Sequence, residues 1–334
     1  MALTEDKILQ LENLAKYFPL AGGTLRHRRT WVKAVDGVCL DVMRGESFGL
    51  VGESGCGKTT LGRLILRLIE PTAGRVIFDG CDITQAKRGA LRPLRRKMQM
   101  IFQDPYGSLD PRLTIEAIVT EPLRLDPALS ARQRRRRAAR VLDTVGLRNS
   151  DLNKYPHEFS GGQRQRIGIA RALCVDPELV VADEPVSALD VSIQAQVLNL
   201  MQDLKHALGL SYVFISHNIR AVEQICDRIA VMYLGAVVEI APLTDFCRTP
   251  RHPYARALTA AAAHVDPRRR LHPADIHGEV PSPIDPPPGC AFHPRCPVVL
   301  DICRRQRPPL VEVPADHRVA CWLNDGQGLL AGGQ

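Results

Sequence analysis

Aromatic residues are scarce in this chain of 334 residues, at 5% of the total, and long apolar runs are missing. No stretch reaches the roughly 18 apolar residues that a bilayer-spanning helix needs. The best candidate, Ile229 to Ile240, is short and is interrupted by Gly235 and Glu239. Nor does the beginning read as a secretory signal: Glu5 and Asp6 stand where basic residues belong, and no apolar core follows. These absences predict a chain that meets a membrane only through partners. The formal net charge of +8 and the pI near 9.1 invite a nucleic-acid reading. The few aromatics and the wide spread of basic residues argue against it. The densest basic run, Arg132 to Arg140, has helical composition and reads as a solvated helix face; an anionic membrane surface would suit the positive balance equally.

What is present is a core-forming chain, 45% apolar, with room for more than one domain. Ile8 to Leu14 alternates apolar and polar as a half-buried strand does. The stretch Ala21 to Arg29 is rich in Gly and Arg and reads as a loop. A strand over Ser47 to Val51 feeds a glycine-rich turn, and a helix is expected from Lys58 to Ile69, closed by Pro71 and Gly74. Residues 107–175 are mainly helical in character. Leu179 to Ala182 is a continuous apolar run, as in a strand buried on both faces of a parallel sheet. A helix over Ser192 to Leu208 and a strand over Tyr212 to Ser216 continue the βα rhythm. Beyond about residue 245 Pro and His become frequent, and P-S-P-I-D-P-P-P at 281–288 reads as a stiff linker. The expected division is therefore 1–245 and 246–334.

The glycine-rich turn, G-E-S-G-C-G-K-T at 52–59, is a phosphate cradle. Gly52, Gly55 and Gly57 let backbone N–H groups turn inward, with Glu53, Ser54 and Cys56 as permissive positions between them. Lys58 supplies a counter-charge to β- and γ-phosphates, the Thr59 hydroxyl is a Mg²⁺ ligand, and Thr60 follows in the helix. In L-V-V-A-D-E-P at 179–185 the strand delivers two carboxylates at its C-terminal end, where ligands sit in doubly wound sheets. Asp183 is the expected Mg²⁺ ligand and Glu184 the general base that orients the attacking water. Gln103, in I-F-Q-D-P-Y, can contact Mg²⁺ or that water without adding charge. His217, in I-S-H-N, ends a strand and can reach the γ-phosphate. Phe18 is a candidate adenine platform, with Tyr17 as the competing choice.

F-S-G-G-Q-R-Q-R at 159–166 adds a second anion site: the Ser160 hydroxyl, the amides of Gly161 and Gly162, and a helix starting near Gln163. One cradle already serves the chain's own nucleotide. The second makes sense if two such chains pair head to tail, each presenting this element to the other's ATP, with Asp190 of S-A-L-D at the seam.

In this order the motifs resemble those of ABC transporter ATPases, over residues 8 to about 245. The resemblance implies an α/β fold, with a parallel core sheet, an antiparallel β subdomain and a helical subdomain near 107–175. Finer details, V-K-A-V-D-G-V, F-Q-D-P-Y-G-S-L-D-P-R, H-P-Y-A-R-A-L, G-C-A-F-H-P-R-C-P and H-R-V-A-C-W, are similar to the F-type ATP-binding subunit of dipeptide/oligopeptide importers. That likeness implies a subunit on the cytoplasmic face of a bacterial inner membrane. Its implied partners are a paralogous D-type ATPase, two permease subunits and an extracytoplasmic solute-binding protein. Nickel, glutathione and other small-solute importers share much of this pattern. A non-transport ATPase acting on nucleic acid or ribosomes is the distant alternative; a single P-loop and the lack of sustained heptads count against it.

Ten cysteines in a cytosolic ATP-using chain argue against structural disulfides. Four of them, Cys290, Cys296, Cys303 and Cys321, lie in a Pro- and Gly-rich segment too small to bury much core, where a metal staple is expected. Four thiolates fit a tetrahedral zinc or a 4Fe–4S cluster. Their wide spacing, with five, six and seventeen residues between them, favours the cluster over zinc and over unmetallated thiols. His293 and His317 read as bystanders.

Overall fold

The computed structural model describes residues 6–20, 30–104, 107–126, 128–262, 278–314 and 316–324. The loop expected over Ala21 to Arg29, and Pro105 and Tyr106 of the Gln103 motif, lie outside them. The fold is mixed α/β, in two compact units: one from residues 1–8, 42–47 and 85–216, the other from 9–41, 48–84 and 217–334.

The second unit opens with β1 (Lys7–Pro19) and β2 (Trp31–Met43). With β4 (Ala73–Phe78) and β5 (Cys81–Asp82) they form a four-stranded sheet in the order β2-β1-β4-β5. β1 runs antiparallel to β4, Leu9 opposite Phe78, and the register slips between Glu12 and Ala15. β3 (Ser47–Val51) is buried throughout and leads to α1 (Lys58–Ile65). The helix stops four residues before its expected end. Arg67 turns left-handed at φ +50, and its guanidinium donates to the carbonyls of Ile83 and Ile69, both at 3.1 Å. An arginine that is 6% exposed thus ends the helix where composition alone pointed to Pro71.

In the first unit α2 (Arg88–Lys97) precedes β6 (Met98–Ile101). α3 (Ile115–Val119), α4 (Ala131–Thr144) and α5 (Gly161–Leu173) follow, then β7 (Leu179–Asp183), α6 (Val191–Leu208) and β8 (Ser211–Ser216). β6, β7 and β8 are parallel neighbours, Ile101 opposite Ala182 and Asp183 opposite Ile215. β7 and β8 are buried at every position, which is why they read as unbroken apolar runs. The basic run lies on α4. The helix buries Ala138 and Leu142 and leaves Arg132, Arg135, Arg136 and Arg140 exposed, while Arg135 pairs with Glu116 and Arg137 with Asp176.

The second unit resumes with α7 (Ile219–Ile225), β9 (Arg228–Tyr233), β10 (Ala236–Pro242), α8 (Leu243–Arg248) and α9 (Pro253–Ala262). β9 runs parallel to β3 and antiparallel to β10. Residues 281–288 adopt no regular structure, as their prolines require. The chain then returns as β11 (Val311–Val313) and β12 (His317–Val319), and β12 pairs antiparallel with β10. The segment after 245 therefore belongs to the same unit as residues 48–84. Glu239 of β10 stitches it there. This fully buried carboxylate accepts from the amides of Arg251 (2.9 Å) and His252 (2.7 Å) and pairs with the His317 imidazole at 2.7 Å.

Candidate nucleotide site

The phosphate cradle lies between β3 and α1. Two of its glycines are dictated by space. A Cβ on Gly52 would stand 2.2 Å from the Met232 carbonyl oxygen, and one on Gly57 would stand 2.0 Å from that of Ala34. Both residues also take positive φ, at +157 and +106. Only glycine lets the loop pass this close to its neighbours. Lys58 is 5% exposed, and its ammonium donates to the carbonyls of Gly52 (2.8 Å) and Glu53 (3.0 Å). Cys56 Sγ sits 3.8 Å from the same nitrogen, and burial pushes its thiol up. Thr59 and Thr60 occupy the first turn of α1.

Two residues that lie in stretches carrying the importer resemblance, but to which the sequence assigned no role, hold this loop. The Tyr254 hydroxyl accepts from the Glu53 amide at 2.8 Å. Arg295 forks onto the Glu53 carboxylate, Nη1 to Oε2 at 2.9 Å and Nη2 to Oε1 at 3.0 Å. Arg295 and Glu53 are 242 positions apart, and no local sequence signal links them.

In this same unit Phe18 ends β1 with its ring 38% exposed and the Lys16 ammonium 5.1 Å from its centroid. Tyr17 is committed elsewhere: its hydroxyl donates to Asp36 at 2.5 Å, and that bond pushes the phenol up to about 12. Of the two aromatics, Phe18 is the more exposed. His217 directly follows β8, and the Asn218 side chain after it caps α7 by accepting from the Arg220 amide at 3.0 Å.

In the first unit Asp183 closes β7 and is 3% exposed. Glu184 then turns the chain out of the strand with φ +46, and its amide donates to the Ile215 carbonyl at 2.9 Å. Gln103 follows β6, next to β7 in the sheet, and its Nε2 donates to Glu184 Oε2 at 2.9 Å. An amide and a carboxylate 81 residues apart in sequence thus meet at the C-terminal ends of two parallel strands.

Ser160 is the N-cap of α5, and with Gln163 it forms a reciprocal capping box. The Ser160 amide donates to Gln163 Oε1 at 3.0 Å, and the Gln163 amide to Ser160 Oγ at 3.4 Å. The serine read as an anion contact therefore also starts the helix. Gly161 and Gly162 open its first turn; a Cβ on Gly162 would come 2.5 Å from Ile193 Cγ2 of α6, so this glycine lets the two helices approach. Asp190 is the exposed N-cap of α6, and its backbone carbonyl accepts from Ile193 and Gln194.

The family model for ABC transporters matches residues 35–187, and the model for the oligopeptide/dipeptide transporter C-terminal region matches residues 238–303. A probable peptide ABC transporter ATP-binding protein of Sinorhizobium fredii, y4tS, is 51% identical over 95% of this chain and 90% of its own length. The dipeptide transport ATP-binding protein DppF of Escherichia coli is 47% identical over 97% and 96%. The chain belongs to the ABC transporter ATPases. Among solved structures, the dimeric post-hydrolysis cassette MJ0796 bound to ADP and Pi matches with a TM-score of 0.63. It is 30% identical, over 70% of this chain and 98% of that one.

Beyond the cassette, this ABC ATPase carries the four extension cysteines, and all four line one small apolar cavity together with Phe292 and His252. None is in a disulfide. Burial pushes the thiols of Cys290 and Cys321 up to about 11, and their proximity to the other cysteines adds to the rise. Among the described residues, however, no three of His, Cys, Asp or Glu are grouped as the ligands of a metal ion would be. That departs from the expectation of a metal site, and most directly from zinc, whose ligands must close tightly around a single ion.

Proposed function

We propose that this ABC ATPase powers the import of peptides by hydrolysing MgATP. Residues 52–59 bind the phosphates through backbone amides, and Lys58 neutralises the β- and γ-oxygens. Thr59 and Asp183 would hold Mg²⁺, Asp183 directly or through water, and the bound ion would supply charge stabilisation for the transferred phosphoryl group. Glu184 takes the proton of the attacking water, and Gln103 orients the same water. The observation that carries this reading is the 2.9 Å hydrogen bond between Gln103 and Glu184 at the ends of β6 and β7. His217 contacts the γ-phosphate and Phe18 stacks on adenine.

Ser160 to Gln163 serve the ATP of a second ATPase subunit, with Asp190 at the seam between the two. We take that subunit to be a D-type paralogue. The pair couples to two permease subunits and an extracytoplasmic solute-binding protein at the cytoplasmic face of a bacterial inner membrane. Peptide rather than another small solute is favoured by the names of the relatives and by the matched C-terminal region, residues 238–303. The four extension thiols are the proposed ligands of one 4Fe–4S cluster, which would staple the extension. What supports this is that all four thiols line one small cavity.

The test is recovery of the tagged chain from its own host membranes in detergent, followed by transport in vesicles rebuilt from the complex. Two permeases and a second ATPase should co-purify, and labelled dipeptide should accumulate only with ATP and wild-type Glu184. Recovery without permeases, or accumulation of nickel or glutathione and not of dipeptide, refutes the peptide reading.

A further inference from the structure

The contact between the extension and the P-loop reaches beyond stapling. Glu53 is a carboxylate inside a loop built to hold phosphates, and left unpaired it would repel the ligand. Arg295 covers it with a bidentate, charge-assisted fork, the strong form of such a pair. The Arg295 side chain is 8% exposed and that of Glu53 28%. The fork is seated on rings: the Arg295 guanidinium lies 5.9 Å from the centroids of both Tyr233 and Phe292. Phe292 packs edge-on against Tyr233 at 5.3 Å and lies 5.4 Å from Tyr254, whose hydroxyl accepts from the Glu53 amide. Phe292 also lines the cysteine cavity. A continuous set of packed groups thus runs from the four thiols to both the side chain and the backbone of Glu53.

We propose that Arg295 is a positioning residue for nucleotide binding: it neutralises Glu53 and ties the P-loop to the cysteine extension, so that extension and nucleotide tighten one another. The inference rests on reading residues 52–59 as the phosphate site. Coupling of this kind is reciprocal. Loosening the extension weakens ATP, and ATP tightens the extension by the same factor.

The experiment measures binding of a fluorescent ATP analogue with Mg²⁺ to the full chain, alongside hydrogen exchange of peptides spanning 52–57 and 289–304. Arg295→Gln should weaken binding on the order of tenfold, within the usual range of coupling between sites. It should also speed exchange in both peptides. Glu53→Gln in that background removes the stranded carboxylate and should recover most of the affinity, a rescue that a merely structural role does not predict. Arg295→Lys keeps the charge without the fork and should fall between. In wild type the nucleotide should slow exchange over 289–304, and in Arg295→Gln it should not. Wild-type affinity within twofold for folded Arg295→Gln overturns the proposal, as does a double variant no tighter than the single one. If Arg295→Gln fails to fold, the double variant and Arg295→Lys decide in the same way. Lys58→Ala separates the two readings: wild-type binding by that variant refutes the phosphate site itself, whereas weak binding upholds that site, and the Arg295 series then decides the coupling.

Discussion

Alanine at Gly57 tests the P-loop geometry through stability rather than turnover. Gly57 stands at φ +106 and ψ 3, immediately before α1. A Cβ in left-handed backbone costs about 1–2 kcal/mol. At Gly57 that atom also meets the Ala34 carbonyl oxygen at 2.0 Å and Met232 Cε at 2.9 Å. The methionine can swing aside, but the carbonyl belongs to β2 and cannot move alone. Overpacking of this kind costs about 1–3 kcal/mol more. Gly55 provides the control: its φ is +78, yet a Cβ there meets nothing within 4 Å. Gly55→Ala should therefore lose about 1–2 kcal/mol and Gly57→Ala about 2–5 kcal/mol. Urea unfolding without nucleotide reads both, as a shift of midpoint at unchanged slope. Equal losses at the two positions, or a neutral Gly57→Ala, would refute the close approach of the loop to β2.

Glu184→Gln should retain ATP binding and cut hydrolysis by about 100-fold or more in the assembled complex, since a general base contributes that much; near-normal turnover removes Glu184 from the role. Gly162→Ala should impair hydrolysis while leaving ATP affinity at this chain's own loop intact, read by comparing turnover with nucleotide binding; weak binding with normal turnover per bound nucleotide sinks the paired-site model. Anaerobically purified protein should be brown, with absorbance lost on Cys→Ser at position 290, 296, 303 or 321, and a colourless, iron-free preparation rejects the cluster. Asp36 titrates below the ordinary carboxylate value: burial alone would raise it, but the Tyr17 hydroxyl, Arg307 and Lys33 outweigh burial. Its stabilising contribution is present above about pH 4 and is lost as pH falls through the lowered folded value. Asp36→Asn should accordingly flatten the acid limb of a stability-against-pH curve.

The cassette was legible because its elements obey local rules. β3, β7 and β8 are apolar throughout since they are buried throughout, and the glycine spacing of the P-loop reflects steric limits at Gly52 and Gly57. The end of α1 was not, because Arg67 closes it with bonds to Ile83 and Ile69 that depend on where β5 and its turn fall. Ser160 and Gln163 show a different limit. The same pattern that suggests an anion site also writes a helix cap, and a single sequence does not separate the two uses. Arg295 and Tyr254 act on Glu53, and Glu239 on His317, partners so far apart in sequence that no local window shows the pairings.

That return also governs how the chain behaves when shortened. β10, A-V-V-E-I-A-P, is apolar at most positions, and β12 occupies one side of its backbone ladder. Beyond β12 lies β11, three residues long and carrying Glu312. A short, charged outermost strand is a poor template for pairing with another molecule, whereas a bare seven-residue apolar one is a good template. Trimming the chain back to the cassette near residue 245 would strip both cover strands. It would also leave the buried Glu239 carboxylate without its His317 partner. The shortened protein should precipitate through edge-to-edge growth rather than persist as a minimal ATPase, so the tail guards the sheet edge of the cassette.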